Sequence, residues 1–184
     1  MKAQDSRRVS ALVLATTLLA LLAVSVARAR QVPPGVGEGW MGEFDHAARQ
    51  LTALAEATPA EKFAWRPAPG VRSIGEVYMH VAIGNHFLLR PTGAKTVDLA
   101  PLGKDPEKGI TDKAGIIKFM KESFDAVRVA YAAADRQKKV QMFKKDVTVD
   151  DVFMRVLVHN HEHMGQAVAY ARMNGIKPPW SGAP

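Results

Sequence analysis

His159 and His163 lie four residues apart in a stretch of helical pattern. At 3.6 residues per turn they stand about 40° apart on one face, close enough to share an ion. Imidazole suits divalent zinc, nickel or iron, and spacing does not choose among them. A third donor must come from another element. His80 fits, because it sits mid-helix beside Val77, Val81 and Leu88 at the border of an apolar face, where an unpaired imidazole needs a partner. Gly84, one turn on, leaves room beside His80 for an ion, a ligand or a close helix approach. Three neutral imidazoles would leave the ion its full charge and at least one open position, as in catalytic rather than closed structural sites. Such an ion lowers the pKa of water to about 7, or binds a substrate thiolate or carbonyl oxygen.

Other polar residues are placed by the same helical period. Gln166 lies one turn beyond His163 and Tyr170 one turn further, so both can contact substrate or orient a ligand, or Tyr170 can simply pack in the core. Glu162 stands about 60° from His159, near enough to act as a supporting carboxylate or proton acceptor, or else to be solvated. His161 points roughly 160–200° away from both helix-mates and cannot join them at one ion. His86 points well away from His80 and is given no role in the site, and His46, with no spacing argument, is read as structural or solvent-facing.

Thiolate chemistry is not available. The 184-residue chain contains no cysteine, which excludes disulfides and thiolate sites and leaves nitrogen and oxygen donors. Its basic residues form short clusters such as Arg136-Gln137-Lys138-Lys139 and Lys144-Lys145, without the aromatic interleaving of a nucleic-acid surface. A nucleic-acid partner is therefore not expected.

The elements that must position the histidines begin after residue 29. Lys2, Arg7 and Arg8 precede an apolar run from Ala11 to Val26 and then Ala27-Arg28-Ala29, the order of an export signal cleaved after Ala29. The run is 16 residues long, short of the about 20 that a spanning helix needs, so a cleaved signal is expected rather than a retained anchor. Ser6-Arg7-Arg8 is similar to a twin-arginine start but lacks the usual Phe-Leu-Lys. Losing residues 1–29 removes four basic residues and one acidic residue, lowering the formal charge from +7 to +4. The protein is thus expected outside the cytoplasm, periplasmic or extracellular, with residues 30–184 forming one domain.

That domain shows helical periods and no strand alternation, and its breaks fall at Pro and Gly. A first helix is expected from about Trp40 to Ala57, stopping before Thr58-Pro59. A second opens on the capping box Ser73-Ile74-Gly75-Glu76 and ends near Arg90-Pro91. A long loop follows to Gly109, with three prolines and three glycines, and is a candidate rim for the site. A third helix starts after Thr111 or Asp112 and gives out at Arg136-Gln137. A fourth opens at Thr148-Val149-Asp150-Asp151 and runs to Asn174, with Gly175 at its C-terminal turn. Four helices and no strands predict an all-α four-helix bundle.

Trp65-Arg66-Pro67, Arg72-Ser73-Ile74-Gly75-Glu76 leading to His80-Val81-Ala82, and His159-Asn160-His161-Glu162-His163-Met164-Gly165-Gln166 followed by Tyr170-Ala171-Arg172-Met173-Asn174-Gly175-Ile176 together resemble the DinB-like (DinB/YfiT) superfamily. The resemblance spans nearly all of the mature region. It implies a four-helix bundle with one histidine from the second helix and an i, i+4 pair from the fourth, which falls on His80, His159 and His163. It also implies a divalent-metal protein whose relatives include low-molecular-weight-thiol transferases, a maleylpyruvate isomerase type and metal-dependent hydrolases. Met164 replaces the family's common arginine, and export removes the chain from the cytoplasmic thiol pool. The expected function is a metal-dependent hydrolase or thiol S-transferase acting on a small molecule. The alternative is a noncatalytic, stress-associated metal-binding bundle working through a partner surface. A homodimer is compatible with either.

Overall fold

The computed structural model describes residues 33–182. The export signal expected over residues 1–29 lies outside them. Among the described residues no helix is long and apolar enough to cross a membrane.

Four helices make up most of the structure: α1 (Gly39–Ala57), α2 (Ile74–Leu89), α3 (Lys113–Ala133) and α4 (Val149–Met173). Their starts follow from side-chain caps. Ser73 Oγ accepts from Glu76 N while the Glu76 carboxylate accepts from Ser73 N, and Thr148 and Asp151 do the same for α4. Asp112 accepts from Gly115 N and opens α3. Linker carbonyls satisfy further orphan donors of α2, since Ile74 N donates to Trp65 O and Gly75 N to Phe63 O. α4 ends at Met173 with Asn174 as its C-cap, and Gly175 takes the left-handed φ of +72° that favours glycine.

α1 packs against α3 and α4, and α2 packs against the same two helices. The sequence neighbours α1 and α2 therefore sit across the bundle's diagonal. Long connections over 58–73 and 90–112, carrying single-turn 3-10 segments, make that arrangement possible. α2 is apolar on almost every side, with Val77, Met79, Val81, Ala82 and Leu89 all inaccessible or nearly so. At one end Trp40 stacks on Tyr131 at 4.2 Å, meets Phe153 edge-on, and donates its indole N–H to Phe153 O at 3.1 Å.

A buried polar chain fixes the register of three helices. Asn160 Nδ2 donates to Asn85 Oδ1 at 2.7 Å, and Asn85 Nδ2 donates to Ser123 Oγ at 3.1 Å. These bonds are shielded from water and cannot be exchanged for solvent without loss, so they lock α2 against α4 one residue from Gly84 and His159.

The expectation of no strands is corrected. β1 (Lys139–Met142) and β2 (Lys145–Thr148) form an antiparallel hairpin in register Lys139↔Thr148 to Met142↔Lys145. Its two-residue turn places Phe143 and Lys144 at φ +49° and +64°. Turns of that hand usually advertise themselves as Asn-Gly or Asp-Gly, and this one does not. The hairpin also explains why α3 stops at Ala133, short of Arg136-Gln137: the chain must straighten to feed β1.

Candidate metal centre

The locked helix pair brings His80 from α2 beside His159 and His163 from α4. One ligand atom from each lies within 4.8 Å of the others, and this is the only such group of three among the described residues. Ring centroids are 4.5 to 5.1 Å apart, with the planes steeply inclined to one another. His80 Nε2 and His159 Nε2 are 3.3 Å apart. Two nitrogens each about 2.05 Å from a tetrahedral ion stand roughly 3.3 Å apart, so the spacing suits a shared cation.

The outer nitrogens determine which atoms face inward. His80 Nδ1 donates to Glu107 Oε1 at 2.7 Å, and His163 Nδ1 donates to Gln166 Oε1 at 2.9 Å. An imidazole protonated at Nδ1 presents a bare lone pair at Nε2, the form that binds metal. His159 Nδ1 is buried with no partner, so this ring is held by packing. Its face lies on Gly84: a Cβ at that glycine would stand 2.2 Å from His159 Cε1. The room beside His80 is thus taken by the His159 ring. Convergent lone pairs, oriented outer nitrogens and a ligand-like spacing together fit a divalent ion.

Nothing in the sequence marks Glu107, and Arg72 stands there only as part of the family motif. Glu107 comes from the Pro/Gly-rich loop expected to rim the site, and Arg72 precedes the α2 cap. Arg72 grips Glu107 with two bonds, of 2.6 and 2.8 Å. Burial alone would raise the Glu107 carboxyl, but the bonds from Arg72 and His80 hold it below the usual range. The only available signal was the general need of a ligating histidine for a carboxylate behind it, which cannot choose among Asp98, Asp105 and Glu107. Glu107→Gln should preserve helical content and weaken metal affinity by about 10–100-fold, read by competition with a chromogenic chelator.

The remaining candidates fall into two groups. Gln166 bridges His163 and Tyr170, donating to the Tyr170 hydroxyl at 3.1 Å, and Tyr170 is buried edge-on against Trp65. Glu162 turns to a half-exposed ion pair with Arg155 at 2.6 Å and makes no hydrogen bond to the three imidazoles. His46, His86 and His161 are not brought to the cluster.

Burial favours the neutral forms of two of the three rings, His159 and His80. His159 is pushed down to about 3 by burial first, then by the nearby His163, His80 and Arg155. Burial also lowers His80 against the opposing bond to Glu107, and burial lowers His86. Between about pH 6.5 and these lower native values the unfolded chain takes up protons that the folded chain refuses. Stability of the metal-free protein is therefore complete above about 6.5 and is lost as pH falls below it. Urea midpoints at pH 7.5, 6 and 4.5 should decrease in that order, and a flat series would contradict the buried, neutral state.

Residues 43–167 match the family model described as the DinB superfamily. Among curated proteins none matches. Among solved structures, a DinB-like protein from Bacillus cereus is 18% identical over 80% of this chain and 97% of its own, with a TM-score of 0.64. A DinB-like protein from Bacillus subtilis is 16% identical over 79% and 99%, with a TM-score of 0.58. YfiT from Bacillus subtilis, described as a probable metal-dependent hydrolase with an unusual four-helix bundle topology, is 14% identical over 80% and 93%, with a TM-score of 0.59. At these identities the structural likeness speaks to the fold, while the family match covers more than half of the sequence, and on that ground the chain belongs to the DinB superfamily.

Proposed function

We propose that this protein is an exported, metal-dependent hydrolase that holds a divalent ion on His80, His159 and His163 and acts on a small polar substrate. The observation that carries the reading is the convergence of three imidazoles from two helices, a donor set that would leave a bound ion with at least one position open to water or substrate. The description of YfiT supports the hydrolytic choice. Export is supported by the basic start, apolar run and Ala27-Arg28-Ala29.

When bound, the ion supplies Lewis-acid chemistry, polarising a carbonyl oxygen and acidifying water at neutral pH. The chain's own residues do the rest. Glu107, clamped by Arg72, aims His80, and Gln166, steadied by Tyr170, aims His163. Buried His159 closes the inner side against solvent. A polar cleft of about 540 Å³ lined by Arg72, Glu107, Lys108 and Gln166 adjoins the residues that orient His80 and His163.

The test is elemental analysis of untagged protein followed by ester, amide and thiol-conjugation probes with and without chelator. Ester or amide turnover that chelator abolishes supports the proposal. Turnover of the thiol probe alone makes the protein a transferase. Silence throughout, with a melting temperature that chelator lowers, makes the ion a clamp between α2 and α4.

A further inference from the structure

We propose that the tip of the β1–β2 hairpin, together with the C-terminal end of α2, docks on an anionic phospholipid bilayer. The turn residues Phe143 and Lys144 take φ of +49° and +64°, a conformation that suits Asn-Gly and strains a bulky side chain. Phe143 gains little burial in return, since it stays 63% exposed. Its ring stands 6.4 Å from that of Phe87, itself 47% exposed, and the Arg90 guanidinium lies 5.6 Å from the Phe87 centroid. β1 packs against residues 90–92, which joins these side chains in one patch. The chain thus accepts turn strain while leaving two aromatic rings in water, a local conflict that points to a use for the tip.

Charge names the occupant. Between residues 138 and 146, exposed Lys138, Lys139, Lys144 and Lys145 face only one acidic residue, Asp146, whose carboxylate accepts a bond from Gln141 across the ladder. The nearby Asp151 carboxyl is held below its usual range by its bonds to Thr148 and, more weakly, by Lys139. Among the described residues Lys144, Lys145 and Arg90 make no ion pair. Elsewhere Arg66, Lys108, Arg128 and Arg155 each meet a carboxylate. The excess of unpaired cations is thus concentrated beside the exposed rings.

Rings flanked by free cations match the boundary between acyl chains and anionic headgroups. The rings enter the apolar layer, while the long stems of lysine and arginine let their charges stay among the phosphates. A rigid protein partner needs about 800 Å² of fitted surface per side, and two aromatic rings supply about 300–500 Å². A fluid bilayer needs no matching surface. Binding of this kind is reversible and weakens with salt. Phe87 lies seven residues after His80, about 10 Å along α2, so changes at the tip leave the metal ligands in place.

The chain has no cysteine, so Gln141→Cys in the full chain takes a single nitrobenzoxadiazole label beside the tip. The readout is that label, because the apolar run from Ala11 to Val26 could hold the chain on any vesicle without burying the tip. Phosphatidylglycerol vesicles should blue-shift the label and open it to quenching by brominated lipid. Phosphatidylcholine vesicles should leave it water-like, as should either lipid with the label moved to Lys118→Cys on α3. Raising salt from about 0.1 to about 0.5 M should weaken the phosphatidylglycerol response about tenfold. The double variant Phe143→Asn/Lys144→Gly receives the residues its turn favours, so its denaturant midpoint should hold or rise while vesicle affinity drops at least about tenfold. Phe87→Ser should weaken binding similarly with metal content unchanged. An unshifted label on phosphatidylglycerol, equal shifts on both lipids, or full affinity in either folded variant overturns the proposal. So does a shift without vesicles, whether it grows with protein concentration or follows added polyglutamate, which would assign the patch to a second copy or to an acidic protein.

Discussion

His159→Ala is expected to reduce bound metal to trace levels and to bring any metal-dependent turnover down to the uncatalysed background. Removing a residue that merely orients a ligand costs about 10–100-fold in affinity, so removing a ligand should cost more than about 100-fold. The ring is 6% exposed and supplies the nitrogen 3.3 Å from His80 Nε2, so no water-exposed side chain stands ready to replace it. Because alanine also leaves a cavity, His163→Ala, at a less buried position, is the companion variant. Circular dichroism should show both proteins helical, and elemental analysis should show both depleted. Full metal content in two folded variants would remove the three-histidine centre altogether.

Gly84→Ala should destabilise the protein by about 1–3 kcal/mol and impair metal binding, against the ordinary sign of that change. In a helix interior, glycine to alanine normally stabilises by about 0.5–1 kcal/mol because glycine loses more backbone freedom on folding. Gly165 in α4 has nothing within 4 Å of a built Cβ, so Gly165→Ala should show the normal gain. At Gly84 the new methyl would sit 2.2 Å from His159 Cε1 and 2.7 Å from Nε2. Either the imidazole leaves its place, or α2 and α4 separate and strain the 2.7 Å Asn160–Asn85 bond. The double variant Gly84→Ala/His159→Ala should recover part of the loss, since the clash disappears with the ring. Equal denaturant midpoints for Gly84→Ala and Gly165→Ala would refute the close contact.

What could be read from the chain alone was whatever depends on neighbours a few residues apart. Ser73 and Glu76, Thr148 and Asp151, and Asp112 marked helix starts because capping is local chemistry. The shared face of His159 and His163 followed from helical period, as did the alignment of Gln166 and Tyr170. An apolar border and the family resemblance point to His80, and Gly84 marks room beside it without indicating what fills it.

Tertiary structure decided everything that depends on distant parts of the chain meeting. Period alone does not say that α1 and α2 lie diagonally, nor that Asn85 and Asn160 bond across the core, because interhelical contact depends on how whole apolar faces pair. Glu107 reaches His80 through a loop whose path no local pattern dictates, and Arg72 secures it there. The hairpin stayed hidden because Phe143 and Lys144 take positive φ, held there by strand pairing that local preference does not announce. Period put two imidazoles on one face, but the place and direction of the third ring, and the glycine surface that seats His159, arise only once α2 and α4 are packed together.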